Sequence, residues 1–214
     1  MTLPHFYRIF YRLTILRYRM QVSGLDEIKA DKTYFMLPAH TAYVEPFITF
    51  GNCWKTPFRP MAAEYLFHIP LGGWLLNRID AVSVPELTGE KNDPRAMVEY
   101  AHKLTEIGIQ TLKEGRNLCI YPAGHVRKKW ENKEVIGNRR MAYEICKDLP
   151  EGVEIVLSRN KGLEGSLTAR TKWKPTLFRR KVTLEYKVMT EEVREWAKTL
   201  SRKEFNQKLE EWYN

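Results

Sequence analysis

A chain of 214 residues, 43% of them hydrophobic, suits one domain with a real core and is too apolar to be disordered. Lys and Arg number 35 against 26 Asp and Glu, and the net charge of +9 fits a nucleic acid, an anionic membrane surface or an acidic carrier protein as partner. Cys53, Cys119 and Cys146 are far apart and show neither disulfide nor metal-ligand spacing, no stretch has the length and apolarity of a membrane span, and no apolar run follows the N-terminus as in a secretory signal. A cytoplasmic protein, soluble or peripheral on the inner face of the cell membrane, is the expectation.

In chain order, residues 1–20 carry Phe6, Ile9, Phe10, Leu13 and Leu16 at helical spacing, with Arg8, Arg12, Arg17 and Arg19 and no acid. This is the pattern of a basic amphipathic helix lying in a membrane interface, or of a helix packed on the domain's own core with its arginines in solvent. A short strand is expected over Gln21–Leu25, a buried strand over Tyr34–Leu37, a helix from Tyr43, and a strand over Phe58–Ala63. Gly72-Gly73 reads as a turn before Trp74, and Ala81–Val84 as a short strand. Asp93-Pro94 opens a helix that closes at Gly115, by the cap-then-proline signature. Strands at Asn117–Tyr121, Val153–Ser158 and Arg180–Val188, a helix over Arg139–Lys147, and two short charged helices at 191–199 and 202–213 complete the pattern. Strands alternating with helices imply an α/β fold with a mainly parallel central sheet flanked by helices. One domain over 21–190, preceded by the amphipathic helix and followed by helices packed on the same domain, is the expected organisation.

In such folds chemistry collects where strands end. His40 follows the apolar run Tyr34–Leu37, and Glu45 follows it at the head of the next helix. A carboxylate that accepts from one ring nitrogen fixes the tautomer and leaves the other nitrogen to take a proton. A second strand end is the loop from Tyr121 through Pro122, Ala123, Gly124, His125 and Val126 to Arg127 and Lys128, where cations follow a sharp turn. A third connection, residues 62–78, is unusually apolar and aromatic, and reads as a lipid-facing wall or as ordinary core. The five histidines form no ligand-spaced pair, so no metal is implied, and no cofactor.

These segments resemble the glycerolipid acyltransferases of the 1-acyl-glycerol-3-phosphate acyltransferase family. That family's His-x4-Asp motif is similar to His40–Glu45, with Glu in place of Asp. Its apolar lead-in to Gly-Trp and Arg resembles Ile69–Arg78, and its Phe-Pro-Glu-Gly-Thr-Arg motif aligns with Tyr121–Val126. Glu154–Ser158 and the loop to Ser166 occupy the place of the fourth motif. The stretch Phe178–Val182 looks most like acyltransferase domains fused to acyl-acyl-carrier-protein ligases.

The resemblance implies transfer of an acyl group from a thioester, on acyl carrier protein or coenzyme A, to a lyso-lipid hydroxyl, with His40 as general base and Glu45 as its orienting partner. It points to Arg78, Tyr121, Pro122, Gly124, Arg127 and Lys128 as substrate-binding residues, to Phe67, Trp74 and Leu75 as the acyl groove, and to backbone N–H groups at the Gly124 turn for the oxyanion. Ala123 and Val126 replace the third motif's Glu and Arg, and Glu86 stands where many members carry Arg. Two cations that would meet an acceptor phosphate are therefore missing, which puts lysophosphatidate in doubt and leaves a different lyso-lipid or an amino-acid lipid as competitor. A non-catalytic lipid-binding relative of the same fold is the alternative. A nucleic-acid partner is disfavoured, because the aromatics sit among apolar residues and are not interleaved with Lys and Arg.

Overall fold

The computed structural model describes residues 3–84, 94–128, 130–164, 166, 169 and 179–214. Helix α1 (Leu3–Arg17) runs into strand β1 (Tyr18–Ser23), so the strand begins earlier than its Gln21 expectation. Then follow β2 (Thr33–Pro38), α2 (Glu45–Asn52), β3 (Arg59–Ala63), α3 (Pro70–Arg78), β4 (Val82–Val84) and α4 (Pro94–Lys113). The second half contains β5 (Leu118–Cys119), α5 (Met141–Lys147), β6 (Val153–Lys161), β7 (Arg180–Val188), α6 (Thr190–Thr199) and α7 (Arg202–Tyr213).

The seven strands form one sheet in the order β1-β7-β6-β2-β5-β3-β4. Every neighbouring pair is parallel except β6 with β7. β2 lies near the centre and is covered on both faces, which is why its sequence is an unbroken apolar run instead of an alternating one. Its side chains still alternate in direction. Phe35 and Leu37 join the core under Leu112, Ile145, Val193, Phe205 and Leu209, and Tyr34 and Met36 join the opposite core under Phe6, Tyr7, Ile48 and Phe50. Helices α6 and α7 thus pack on the same core as the sheet. The three cysteines are buried in these two layers as small apolar groups, and burial pushes the Cys53 thiol up to about 12.

The expected Gly72-Gly73 turn is corrected: both glycines lie inside α3, which starts at Pro70 directly after a 3-10 turn over Glu64–His68. A Cβ on Gly73 would fall 1.9 Å from the Phe67 carbonyl oxygen. The glycine is therefore there for close approach of helix to turn, not to reverse the chain. β5 is also shorter than expected; Ile120 still donates to the Met36 carbonyl at 3.0 Å before the chain leaves the sheet.

Candidate active site

His40 lies two residues beyond the end of β2, where Ala39 donates to the Ser158 carbonyl of β6 at 2.9 Å. Its own peptide is clamped on both sides. The His40 N–H donates to Glu134 Oε1 at 2.9 Å, and Arg127 N–H donates to the His40 carbonyl at 2.8 Å. The backbone that carries the imidazole is therefore fixed from two positions of one loop, the connection between β5 and α5, distant from it in sequence.

Glu45 opens α2, with Pro46 behind it in the first turn. A carboxylate is favoured at a helix N-terminus, and proline is suited to the first turn of a helix. The side chain is 1% exposed and reaches back over the turn. Its Oε2 accepts the Thr41 N–H at 2.9 Å and lies 3.3 Å from His40 Nδ1. The longer arm of Glu thus still meets the ring. Burial raises the Glu45 carboxyl above the ordinary range; contact with His40, the Thr41 N–H and the positive charge of Arg127 oppose that rise. With Nδ1 directed at the carboxylate, the opposite nitrogen, Nε2, is the one left for a substrate proton.

The neighbouring strand β5 ends one register away, which brings Tyr121 onto His40. The two rings stack with centroids 4.0 Å apart and planes at 28°. The Tyr121 hydroxyl is buried without a hydrogen-bond partner among the described residues, and burial holds its pKa well above the usual phenol value. The chain then turns at Gly124, φ +68°, whose N–H donates to the Tyr121 carbonyl at 2.9 Å. That corrects the oxyanion expectation for this amide: its hydrogen is already committed inside the turn.

His40 and Tyr121 line a cavity of about 530 Å³. Phe47 and Phe50 from α2, Leu66 from the 3-10 turn, and Leu75, Leu76 and Ile79 from α3 and its end supply apolar wall. Of the expected groove residues, Leu75 is on this wall. Trp74 is not: it is 55% exposed and meets Phe6 of α1 edge-on at 5.9 Å. Phe67 is also off the wall, since the turn presents its neighbour Leu66 to the cavity. A larger cleft of about 710 Å³, lined by Tyr11, Lys29 and Trp54 among others, includes neither His40 nor Tyr121.

Among the expected substrate-binding residues, Tyr121 and Gly124 line the cavity and Pro122 is buried beside the turn without lining it. Arg127 is 9% exposed, with Nε 3.6 Å from Glu134 Oε2, so its charge is spent inside the protein. Lys128 lies 3.9 Å from Glu131 and over the Trp130 ring at 5.7 Å. Arg78 is exposed at the last turn of α3 and is not on the wall. Glu86 and Phe178 lie outside the described residues.

The residue that sequence reasoning missed is Glu134. It is 1% exposed, accepts from His40, and is clasped by Asn214, which accepts from the Glu134 N–H at 2.8 Å and donates to its carbonyl at 3.1 Å. No local pattern marks it, because its partners are 94 positions upstream and 80 downstream.

A histidine at a strand end and a buried carboxylate at the head of the following helix, beside an apolar cavity in a largely parallel α/β sheet, form an arrangement able to accept a proton next to an apolar ligand. The family model described as Acyltransferase matches residues 19–157, and the chain belongs to that family: it is an acyltransferase. No curated protein shows significant sequence similarity to it. Among solved structures, the fold is similar to the 1-acyl-sn-glycerophosphate (LPA) acyltransferase PlsC from Thermotoga maritima, with a TM-score of 0.59 at 16% identity over 98% of this chain and 79% of that one.

Proposed function

We propose that this acyltransferase moves a fatty acyl group from a thioester, carried by acyl carrier protein or coenzyme A, to the hydroxyl of a lyso-lipid, with His40 as general base. The observation that carries the proposal is the Glu45–His40 pair, whose histidine lines the largely apolar 530 Å³ cavity. The cavity takes the acyl chain, and the hydroxyl approaches His40 Nε2. As the oxygen attacks the thioester carbonyl its proton passes to Nε2, the tetrahedral intermediate collapses, and the thiolate leaves with a proton returned from the imidazolium. Glu45 holds the ring and stabilises the imidazolium through its charge. Tyr121 holds the ring face. The solved structure with a similar fold carries the name of a lysophosphatidate acyltransferase, which supports a lysophospholipid-type acceptor.

A peripheral membrane contact is part of the proposal, and α1 supports it. Phe6 and Tyr7 are buried on the core, while Ile9, Leu13 and Leu16 stand 43%, 57% and 72% exposed along one stripe. Arg8, Arg12, Arg17 and Arg19 are exposed around it. A helix with one face on the core and a second apolar stripe ringed by arginines suits a peripheral position on an anionic leaflet.

The test is transfer of labelled acyl groups from acyl carrier protein and from coenzyme A to a panel of lyso-lipids by the purified chain. General-base assistance is worth about 10²–10⁴-fold, so His40→Ala should lose that much activity at unchanged melting temperature. Transfer by His40→Ala at the wild-type rate would exclude His40 as the base. Absence of transfer from either donor to any lyso-lipid would exclude the proposed reaction.

A further inference from the structure

We infer that the acceptor's head group carries a single negative charge, a phosphodiester or a carboxylate, and that Arg139 binds it at the rim of the cavity. The inference rests on the acyl-transfer function proposed above. None of the described residues lining the cavity is Lys, Arg, Asp or Glu; its polar atoms come from His40, His125 and three tyrosines. Among the described residues, the counter-charge for a charged head group lies at the edge. Two cations of the adjoining loop are already committed, Arg127 to buried Glu134 and Lys128 to Glu131 and the Trp130 ring.

Arg139 is differently placed. Its guanidinium packs on the Gly124 turn, with Nε and Cζ 3.9 Å from where a Cβ on Gly124 would sit. Gly124 is on the cavity wall, and so is Met141, two residues beyond Arg139. Arg139 is exposed and forms no ion pair among the described residues. A guanidinium beside the turn that follows Tyr121 is available for a bidentate contact with a phosphodiester or carboxylate. One such cation neutralises one charge. A phosphate monoester carries about −1.5 to −2 near pH 7 and would keep an uncompensated charge at an apolar mouth.

The test uses four acceptors with the full chain: a lysophosphatidylglycerol, an N-(3-hydroxyacyl)glycine, a lysophosphatidate and a monoacylglycerol. The wild-type protein should have its highest kcat/KM on one or both monoanions, and the preferred one identifies whether phosphodiester or carboxylate is the natural group. Arg139→Ala should raise the ratio of KM for the monoanion to KM for monoacylglycerol about 10- to 100-fold, the range of a charge-assisted hydrogen bond. Arg139→Lys should recover part of that ratio. An unchanged ratio, or a wild-type preference for lysophosphatidate, would overturn the inference. If no acceptor is acylated, the proposed reaction fails separately, and equilibrium binding of lysophosphatidylglycerol decides the role of Arg139. Binding weakened 10- to 100-fold by Arg139→Ala upholds it, and equal binding refutes it.

Discussion

Replacing Glu45 with Gln keeps the side chain that spans from α2 to Thr41 and His40 and removes its charge. In the wild-type protein the carboxylate lies 3.3 Å from His40 Nδ1, so it faces the positive charge that the proposed general-base step would place on the ring. At that separation Coulomb attraction is about 5 kcal/mol with an effective dielectric constant of about 20, and about 1.3 kcal/mol if water screened it fully. Glu45 is 1% and His40 15% exposed, so the site is closer to the first limit, reduced by what burial already costs the carboxylate. A fall in kcat of about 10²- to 10³-fold is expected, with KM little changed because Glu45 does not line the cavity. Steady-state transfer of a labelled acyl group measures it.

The same variant has a second readout. Burial raises the Glu45 carboxyl in the folded protein, so the folded state prefers the protonated form. Wild-type stability is then highest, as far as this group contributes, below the ordinary carboxylate pKa, and declines as pH rises from that value through the raised one. Gln does not titrate. The melting temperature of Glu45→Gln relative to wild type should therefore climb across that window and level off above it. A kcat within threefold of wild type, or a melting difference that falls as pH rises, would refute the role assigned to this carboxylate.

Three further outcomes are expected. Gly73→Ala puts a methyl group against the Phe67 carbonyl and should destabilise by about 1–3 kcal/mol, read as a melting temperature lower by several degrees; a change below one degree would contradict the close packing of α3 on its turn. Leu13→Glu combined with Leu16→Glu removes two exposed leucines and should weaken partition onto anionic vesicles by about 10²-fold or more with the melting temperature preserved, as sedimentation with liposomes would show; unchanged partition would exclude α1 as the contact. Asn214→Ala releases both hydrogen bonds to the Glu134 backbone, so His40 should lose its fixed position and kcat should drop about 3- to 10-fold while the protein stays folded; full activity would show that the clasp does not reach the catalytic ring.

Much of this was legible in the sequence because its signals are local. β7 spans Arg180–Val188 as expected, since an alternating strand announces its two faces, and α4 begins at Pro94 and ends at Lys113 as its proline and Gly115 imply. At the first turn of α2 a helix start and an acid coincide, so Glu45 could be paired with His40 from their spacing together with the motifs further along the chain. Residues 70–78 misled because two adjacent glycines look like a turn when nothing shows the carbonyl they must pass. The same segment hid its phase: of two adjacent apolar residues, Leu75 faces the cavity and Trp74 faces α1, and only packing decides which. Glu134 and Arg139 were invisible for a different reason. Their importance arises from contacts between loops, with His40 in one case and the Gly124 turn in the other, and such contacts leave no periodicity to read.

The pairing of β1 with β7 has a consequence for how the molecule is made. Tyr18 to Ser23 lie alongside Arg180 to Glu185, so the sheet is zipped at this end by segments far apart in the sequence. On a ribosome, β1 has no strand to receive it until the late β7 has emerged, and closure over so long a loop is slow. Throughout that interval α1, just ahead of β1, carries its exposed leucines and its arginines before the sheet it packs on is complete. On the membrane contact proposed above, α1 is available to lipid before the sheet is complete.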